Sequence, residues 1–213
     1  MVSRRPPLHL RRVPERETKE EDDVHDSPPE GAFLERAAGA LFGARTVLVY
    51  GEVNTRLARA VSAQLVALAA IGDAPIRVLI HSQGGHVEAA DTIHDLVRAI
   101  GPEVLMIGTG WVASAGALIY AAAKKGNRYA LPNTRFLLHQ PLGGAGGRAS
   151  DIEIEVNQIV QMRERLNRIF ARTTGQDFEK IVRDTERNFW MNAEEARAYG
   201  LVDRIVDRLA DVR

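Results

Sequence analysis

The chain has 213 residues, of which 45% are hydrophobic and 26% are charged, so it is large and apolar enough to bury one substantial core. Its 28 basic and 28 acidic side chains cancel to a formal net charge of zero, so the charge balance supports neither a nucleic-acid partner nor docking on an anionic membrane. The absence of cysteine excludes disulfide bonds and thiolate metal sites, and it favours a cytoplasmic location.

Residues 1–30 differ in composition from the rest of the chain. They hold five of the nine prolines and a charged run from Glu15 to Asp23, and they contain little that could build a core. Basic residues are present there but no apolar segment follows them, so we expect no secretory signal. We predict a disordered N-terminal arm or propeptide over 1–30 and a single folded domain over 31–213.

From about residue 46 onward, short β-rich runs alternate with helical ones. This alternation predicts a parallel sheet with helices packed outside it. The predicted strands are Thr46–Tyr50, Ile76–Ile80, Val104–Ile107, Phe136–His139 and a final Leu201–Val206. The predicted helices between them are Thr55–Ile71, Glu88–Ile100 and Ser114–Ala123.

One uncharged stretch, from Val104 to Ala123, has the 20-residue length of a membrane span. It contains three glycines and Ser114, and its β-rich start gives way to an alanine-rich end. We therefore interpret it as a buried strand, a turn and a buried helix rather than a transmembrane helix.

The later part of the chain is dominated by one long predicted helix. A glycine-rich segment, 140–147, precedes it, and Ser150-Asp151-Ile152-Glu153 has the pattern of a capping box. The helix is predicted to run to about Thr173 and to end at Gly175. A second cap, beginning at Asn192, predicts a short helix that stops at Gly200.

Three segments together suggest acyl-transfer chemistry. Ser114 lies among small residues where a strand is expected to turn into a helix, which would present its hydroxyl, and His139 ends an apolar strand. Ser82-Gln83-Gly84-Gly85 ends another strand and could supply backbone N–H donors. A serine, a base and oxyanion donors are what this chemistry needs. Taken singly, Ser114 also fits a helix N-cap, His139 a core histidine and the glycine pair an ordinary turn.

Several short segments, in this order along the chain, resemble the ClpP family, the proteolytic subunits of the Clp protease. The resemblance covers about residues 33–206. The segments that carry it are Ser82-x-Gly84-Gly85, Ala113-Ser114-x-Gly116-Ala117, Leu131-Pro132-Asn133, His139-Gln140-Pro141-Leu142-Gly143-Gly144, Ser150-Asp151-Ile152-Glu153-Ile154, Asp184-Thr185-Glu186-Arg187 and Tyr199-Gly200-Leu201-Val202-Asp203.

The resemblance implies an α/β fold of the ClpP/crotonase type, with a repeated ββα spiral core. A protruding handle, made of a glycine-rich strand and a long helix, would span about residues 143–173. It also implies a serine endopeptidase that cleaves unfolded polypeptides inside a double heptameric ring, formed with itself or with a ClpP paralogue. No cofactor or metal is expected: ATP would be used only by a partner Clp ATPase, since no nucleotide-binding loop is present here.

By position in the family, Ser114 would be the nucleophile, His139 the general base and Asn188 the third member of the triad. The backbone N–H groups of Gly85 and Ala115 would form the oxyanion hole. An aspartate normally stands where this chain has Asn188, which predicts reduced activity, and nearby Asp184 is a candidate substitute.

Five other residues differ from the family pattern or lie near the donor loop. Gln83 replaces the usual proline in the donor loop. Trp111 replaces a smaller polar residue, which suggests either core packing or a narrowed substrate pocket. His81, His86 and His94 lie near the donor loop, but their spacing does not favour a metal site.

Three functions remain open from the sequence. The leading one is a ClpP-like serine peptidase subunit with an altered Ser-His-Asn triad. The second is a catalytically weak or inactive structural subunit that assembles with a standard ClpP paralogue. The third is an acyl-CoA enzyme of the crotonase superfamily, which would need neither the serine nor the handle.

Overall fold

The computed structural model describes residues 30–213, with side chains from Glu35 onward. The helices are α1 (Glu30–Gly43), α2 (Thr55–Ile71), α3 (Val87–Ala99), α4 (Ala115–Tyr120), α5 (Ala149–Thr174), α6 (Phe178–Thr185) and α7 (Ala193–Tyr199). The strands are β1 (Thr46–Val53), β2 (Ile76–Gly85), β3 (Val104–Ala113), β4 (Arg128–Ala130), β5 (Arg135–Leu138), β6 (Phe189–Asn192) and β7 (Arg204–Ile205). The predicted arm lies outside the described residues, except that Glu30 begins α1.

The strands form one seven-stranded sheet of mixed direction. Its main path is β1-β2-β3-β4-β7, in which all neighbours are parallel, as the alternating pattern predicted. Strand β3 pairs with β4 along 106–108 and with β5 along 111–113. Strand β6 then adds to β5 in the antiparallel direction. The sheet therefore divides beyond the middle of β3, and its second branch leads to the candidate site.

The helices cover the sheet with the apolar faces that their spacing predicts. Helix α2 buries Val61, Leu65 and Leu68 at intervals of three and four residues, against valines of β1 such as Val47. All six residues of α4 are buried, so this short helix lies wholly inside the core. Each fully buried leucine contributes about 2 kcal/mol of transfer free energy, so this packing holds α4 and the residue before it in place.

The uncharged stretch 104–123 is β3, Ser114, α4 and three further buried alanines, so the predicted strand, turn and helix are confirmed. Among residues 30–213, no helix is both long enough and apolar enough to cross a bilayer.

Some predicted boundaries differ from the structure. Strands β1, β2 and β3 continue beyond their predicted ends to Val53, Gly85 and Ala113. The last strand is only Arg204–Ile205, because Gly200 turns the chain in a left-handed conformation and Asp203 turns its carboxylate to Arg128.

The predicted capping box at Ser150 is wrong. Helix α5 begins at Ala149, and the carbonyl of Arg148 accepts the first N–H bonds without any side-chain cap. Ser150 is already inside the helix, so its hydroxyl cannot reach the N–H group that a cap would bind. The other helix ends are confirmed: Gly175 caps α5 with φ +75°, and Asn192 forms a capping box. The glycine-rich segment before α5 has no strand in this chain.

A buried ion pair fixes the carboxyl end of α5. The Arg128 side chain is 1% exposed and donates to both carboxylate oxygens of Asp203 at 2.7 and 3.0 Å. Its remaining guanidinium nitrogen donates to the carbonyl of Thr173, in the last turn of α5, at 2.8 Å. One side chain therefore links β4, the segment before β7 and the long helix.

Candidate active site

Ser114 occupies a strained turn between β3 and α4. Its φ of +54° and ψ of −120° lie in a region that L-residues rarely adopt, at a cost of about 1–3 kcal/mol. The Ser114 N–H donates to the carbonyl of Leu137 on β5, and Leu118 N–H donates to the Ser114 carbonyl, so both flanking elements hold the turn. Its hydroxyl makes no capping bond to α4. The sharp turn presents the serine side chain instead of using it as a cap.

Strand register brings two distant residues to this serine. Ala113 pairs with Leu137 in the parallel β3–β5 ladder, so the residues that follow each strand, Ser114 and His139, emerge at the same edge. Leu138 pairs with Phe189 in the antiparallel β5–β6 ladder, so His139 faces the residue that precedes β6, which is Asn188. The sheet thus places the three residues together.

The three side chains form a continuous hydrogen-bond chain. His139 Nε2 lies 2.8 Å from Ser114 Oγ, and His139 Nδ1 lies 3.0 Å from Asn188 Oδ1. Because a carbonyl oxygen can only accept, Nδ1 must carry the ring proton, which leaves the Nε2 lone pair free to accept the serine proton. This is the tautomer that a general base requires.

The donor loop of the sequence analysis, residues 82–85, forms the end of β2 and packs directly against the serine. The buried Ser82 hydroxyl accepts from Gly84 N–H at 3.0 Å and donates to the carbonyl of Gly51. A Cβ on Gly84 would lie 2.7 Å from Ser114 Cβ, and one on Gly85 would overlap the Val53 carbonyl. Both glycines have positive φ, so the loop needs glycine for its conformation as well as for space. The Ser82 bonds constrain this loop although Gln83 replaces proline.

Asp184 is not oriented towards His139. Its carboxylate binds Lys180 at 2.5 Å and the hydroxyl of Tyr199, a residue of α7, at 2.6 Å. Burial works to raise the pKa of Asp184, but the hydrogen bonds from Lys180 and Tyr199 outweigh it and hold that pKa below its usual value. Asp184 therefore does not substitute for Asn188 as the partner of the histidine.

The segment that carries Asn188 is tied to the one that carries His139. Gln140 N–H donates to the Thr185 carbonyl at 2.7 Å, and its side-chain amide donates to the Glu186 carbonyl at 2.8 Å. The Thr185 hydroxyl in turn donates to Asn167, a buried residue of α5, at 3.0 Å. Gln140, Thr185 and Glu186 stand in segments that carry the family resemblance, whereas the sequence analysis did not single out Asn167.

The remaining residues singled out in the sequence lie elsewhere. Trp111 is 44% exposed and stacks edge-on against Trp190 at 5.7 Å, so it belongs to neither the core nor the pocket wall beside Ser114. His81 accepts from Trp111 N–H, and the buried His94 contacts Asp95. Within residues 30–213, no three His, Asp or Glu side chains are grouped closely enough to bind a metal ion.

A cleft of about 550 Å³ opens over Ser114 and His139. Its walls come from the ends of β1 and β2, the start of α3, the segment after His139 and the first half of α5. A small apolar recess of about 10 Å³ adjoins the serine, lined mainly by Val87, Leu118, Leu138, Pro141, Leu166 and Phe170. The cleft has room for an extended chain across the serine, whereas the recess has room for no more than about one water molecule.

Comparison with known proteins identifies the family of this chain. The chain matches the Clp protease family over residues 30–209. It is 54% identical over 204 residues to the ATP-dependent Clp protease proteolytic subunit 2 of Gluconobacter oxydans, covering 94% of this chain and 89% of that protein. It is 56% identical over 194 residues to proteolytic subunit 3 of Rhizobium etli, covering 91% and 98%.

A solved structure is also similar. An Asn-to-Asp mutant of ClpP1 from Listeria monocytogenes superposes with a TM-score of 0.78 at 50% identity, covering 83% of this chain and 99% of that one. The sequence matches and this superposition identify the same family. The chain belongs to the Clp protease family of serine endopeptidases, as a relative of its ClpP proteolytic subunits.

Proposed function

We propose that Ser114, His139 and Asn188 form a working but slowed catalytic triad, and that the chain hydrolyses peptide bonds of unfolded polypeptides. The observation that carries this proposal is the hydrogen-bond chain from Ser114 Oγ through His139 to Asn188 Oδ1. In this mechanism His139 takes the serine proton as Oγ attacks the scissile carbonyl, and then protonates the leaving amine. The N–H groups of Gly85 and Ala115 are proposed to hold the oxyanion.

Asn188 can orient His139 as an aspartate would, but it has no negative charge. In a serine protease with an aspartate in this place, its replacement by asparagine lowers turnover about 10⁴-fold by favouring the wrong histidine tautomer. Here the Asn188 oxygen faces Nδ1, which supports the correct tautomer. What is missing is the negative charge that stabilises the imidazolium, so we propose a smaller loss.

We further propose that the chain works as a subunit of an oligomeric chamber in the cytoplasm, fed by a Clp ATPase. Support comes from α5, whose first half exposes Ile152, Val156 and Val160 at four-residue intervals. Ile154, on the opposite side of the helix, and Leu142, in the segment before it, are further exposed apolar residues. An apolar stripe of this kind on a long helix is typical of a face that packs against another subunit.

A second function is favoured by Asn188 itself. A subunit with a neutral third residue could serve chiefly to complete a mixed ring with a standard ClpP paralogue, which would then provide most of the cleavage. The strained, oriented Ser114 argues against a wholly structural role, because a position freed from catalysis has no reason to keep that strain.

Labelling with a fluorophosphonate, read by intact mass, separates the two functions. We expect the wild-type protein to be labelled, Ser114→Ala to be unlabelled and Asn188→Asp to be labelled faster. Labelling of Asn188→Asp but not of the wild type would assign the chain to the structural role.

A further inference from the structure

The charged side chains that line the cleft over the serine are all acidic. Three glutamates from separate elements line it: Glu52 near the end of β1, Glu88 in the first turn of α3 and Glu155 in α5. All three are exposed. Among the described residues that line this cleft there is no lysine or arginine. A chain lying across Ser114 therefore meets three carboxylates and no fixed positive charge.

These carboxylates are available to a ligand. None of the ion pairs within residues 30–213 uses Glu52, Glu88 or Glu155. The charge of Glu88 acts on Arg165, but the Arg165 guanidinium donates to Asp91 through two hydrogen bonds of 2.6 and 2.7 Å. The negative potential of the cleft is therefore not cancelled by a neighbouring cation, although α3 partly offsets Glu88 through its helix dipole.

We infer that this cleft selects peptides with lysine or arginine beside the residue at the scissile bond, and disfavours those with aspartate or glutamate there. This inference rests on the proposed function, because it requires a peptide lying across Ser114. The small apolar recess next to the serine has no room for a side chain, so the selection acts at the flanking positions, which lie along the larger cleft. Carboxylates that converge on a concave site concentrate cations and repel anions.

The effect has a predictable size. An exposed carboxylate–ammonium pair changes affinity by about 2- to 5-fold, and three of them act on different positions of the peptide. We expect kcat/KM to be about 10-fold higher for a lysine-containing peptide than for its glutamate counterpart at low salt. Screening should reduce this ratio to about 2- to 3-fold at high ionic strength.

The test uses the assembled protein and fluorogenic peptides that share one leucine at the scissile bond. Each peptide carries lysine, glutamine or glutamate at its flanking positions, with the same residue at each of them. The variants are Glu52→Gln, Glu88→Gln, Glu155→Gln and the triple replacement. Glu103→Gln is the matched control, because Glu103 is exposed at the opposite end of β3 from Ser114. We expect the lysine preference to fall stepwise and to vanish in the triple variant, with the control unchanged.

Binding to Ser114→Ala, followed by fluorescence anisotropy of the same peptides, separates this inference from the proposed function. A lysine preference in binding without Ser114-dependent hydrolysis by the wild type would refute the proposed activity and leave the charge selection standing. Equal binding and cleavage of the lysine, glutamine and glutamate peptides would overturn the inference. So would a lysine preference that survives in the triple variant.

Discussion

Replacing Asn188 by aspartate should speed peptide hydrolysis, because it adds a charge at a distance that the structure defines. The His139–Asn188 contact of 3.0 Å would place an imidazolium and a carboxylate about 4 Å apart. That attraction is worth about 1 kcal/mol in water and about 4 kcal/mol near a protein surface. Because Asn188 is exposed, we expect about 1.4–2.7 kcal/mol, which is roughly a 10- to 100-fold rise in kcat/KM.

The assay is steady-state cleavage of a short fluorogenic peptide by the wild-type protein and the Asn188→Asp variant. Asn192→Asp is the matched control, because Asn192 is an exposed N-cap where aspartate caps equally well, and it should leave kcat/KM unchanged within about twofold. A rate for Asn188→Asp equal to or below that of the wild type would refute the reasoning that Asn188 acts as an orienter without charge. A rise of about 10⁴-fold would mean that the wild-type histidine holds the wrong tautomer.

Three further predictions concern the framework around the site. Gly84→Ala should abolish Ser114 labelling because its Cβ would lie 2.7 Å from Ser114 Cβ, whereas Gly43→Ala meets open space and should label normally. Asp203→Asn should lower the free energy of unfolding in urea by about 3–5 kcal/mol by leaving buried Arg128 unpaired; Asp211→Asn, at an exposed pair, should cost less than about 1 kcal/mol. Asp184→Asn should lower the free energy of unfolding at neutral pH, and this deficit should shrink as pH falls through the lowered pKa of Asp184. The reason is that the ionised Asp184 carboxylate stabilises the fold above its unfolded pKa, and this stabilisation is lost in acid. A deficit in the free energy of unfolding that stays constant from pH 7 to well below pH 4 would contradict the last of these predictions.

The main layout of the fold could be predicted because its signals are local. The alternation of apolar runs predicted β1, β2, β3 and the helices between them, and glycine marked the ends of α5 and α7. The strands that the sequence did not predict are those that depend on pairing with other strands. Strands β4 and β6 are three and four residues long, and only their neighbours in the sheet make them strands.

The same distinction applies to the site. Ser114 and His139 could be proposed because small residues around a serine and a histidine at the end of a strand are visible in the sequence. The link from Gln140 to the Thr185 and Glu186 carbonyls could not, because it joins groups 45 or more residues apart in the chain. The orientation of Asp184 away from the histidine also follows from tertiary contacts with Tyr199 and Lys180, which spacing does not reveal.

The late position of β6 in the chain affects how the protein is made. Ser114 and His139 leave the ribosome well before Asn188, which lies 49 residues beyond the histidine and is placed by the pairing of β6 with β5. Until that pairing forms, a nascent chain holds a serine and a histidine whose ring has no fixed orientation. The geometry around His139 is therefore complete only after the chain has been synthesised as far as β6 and β6 has paired with β5.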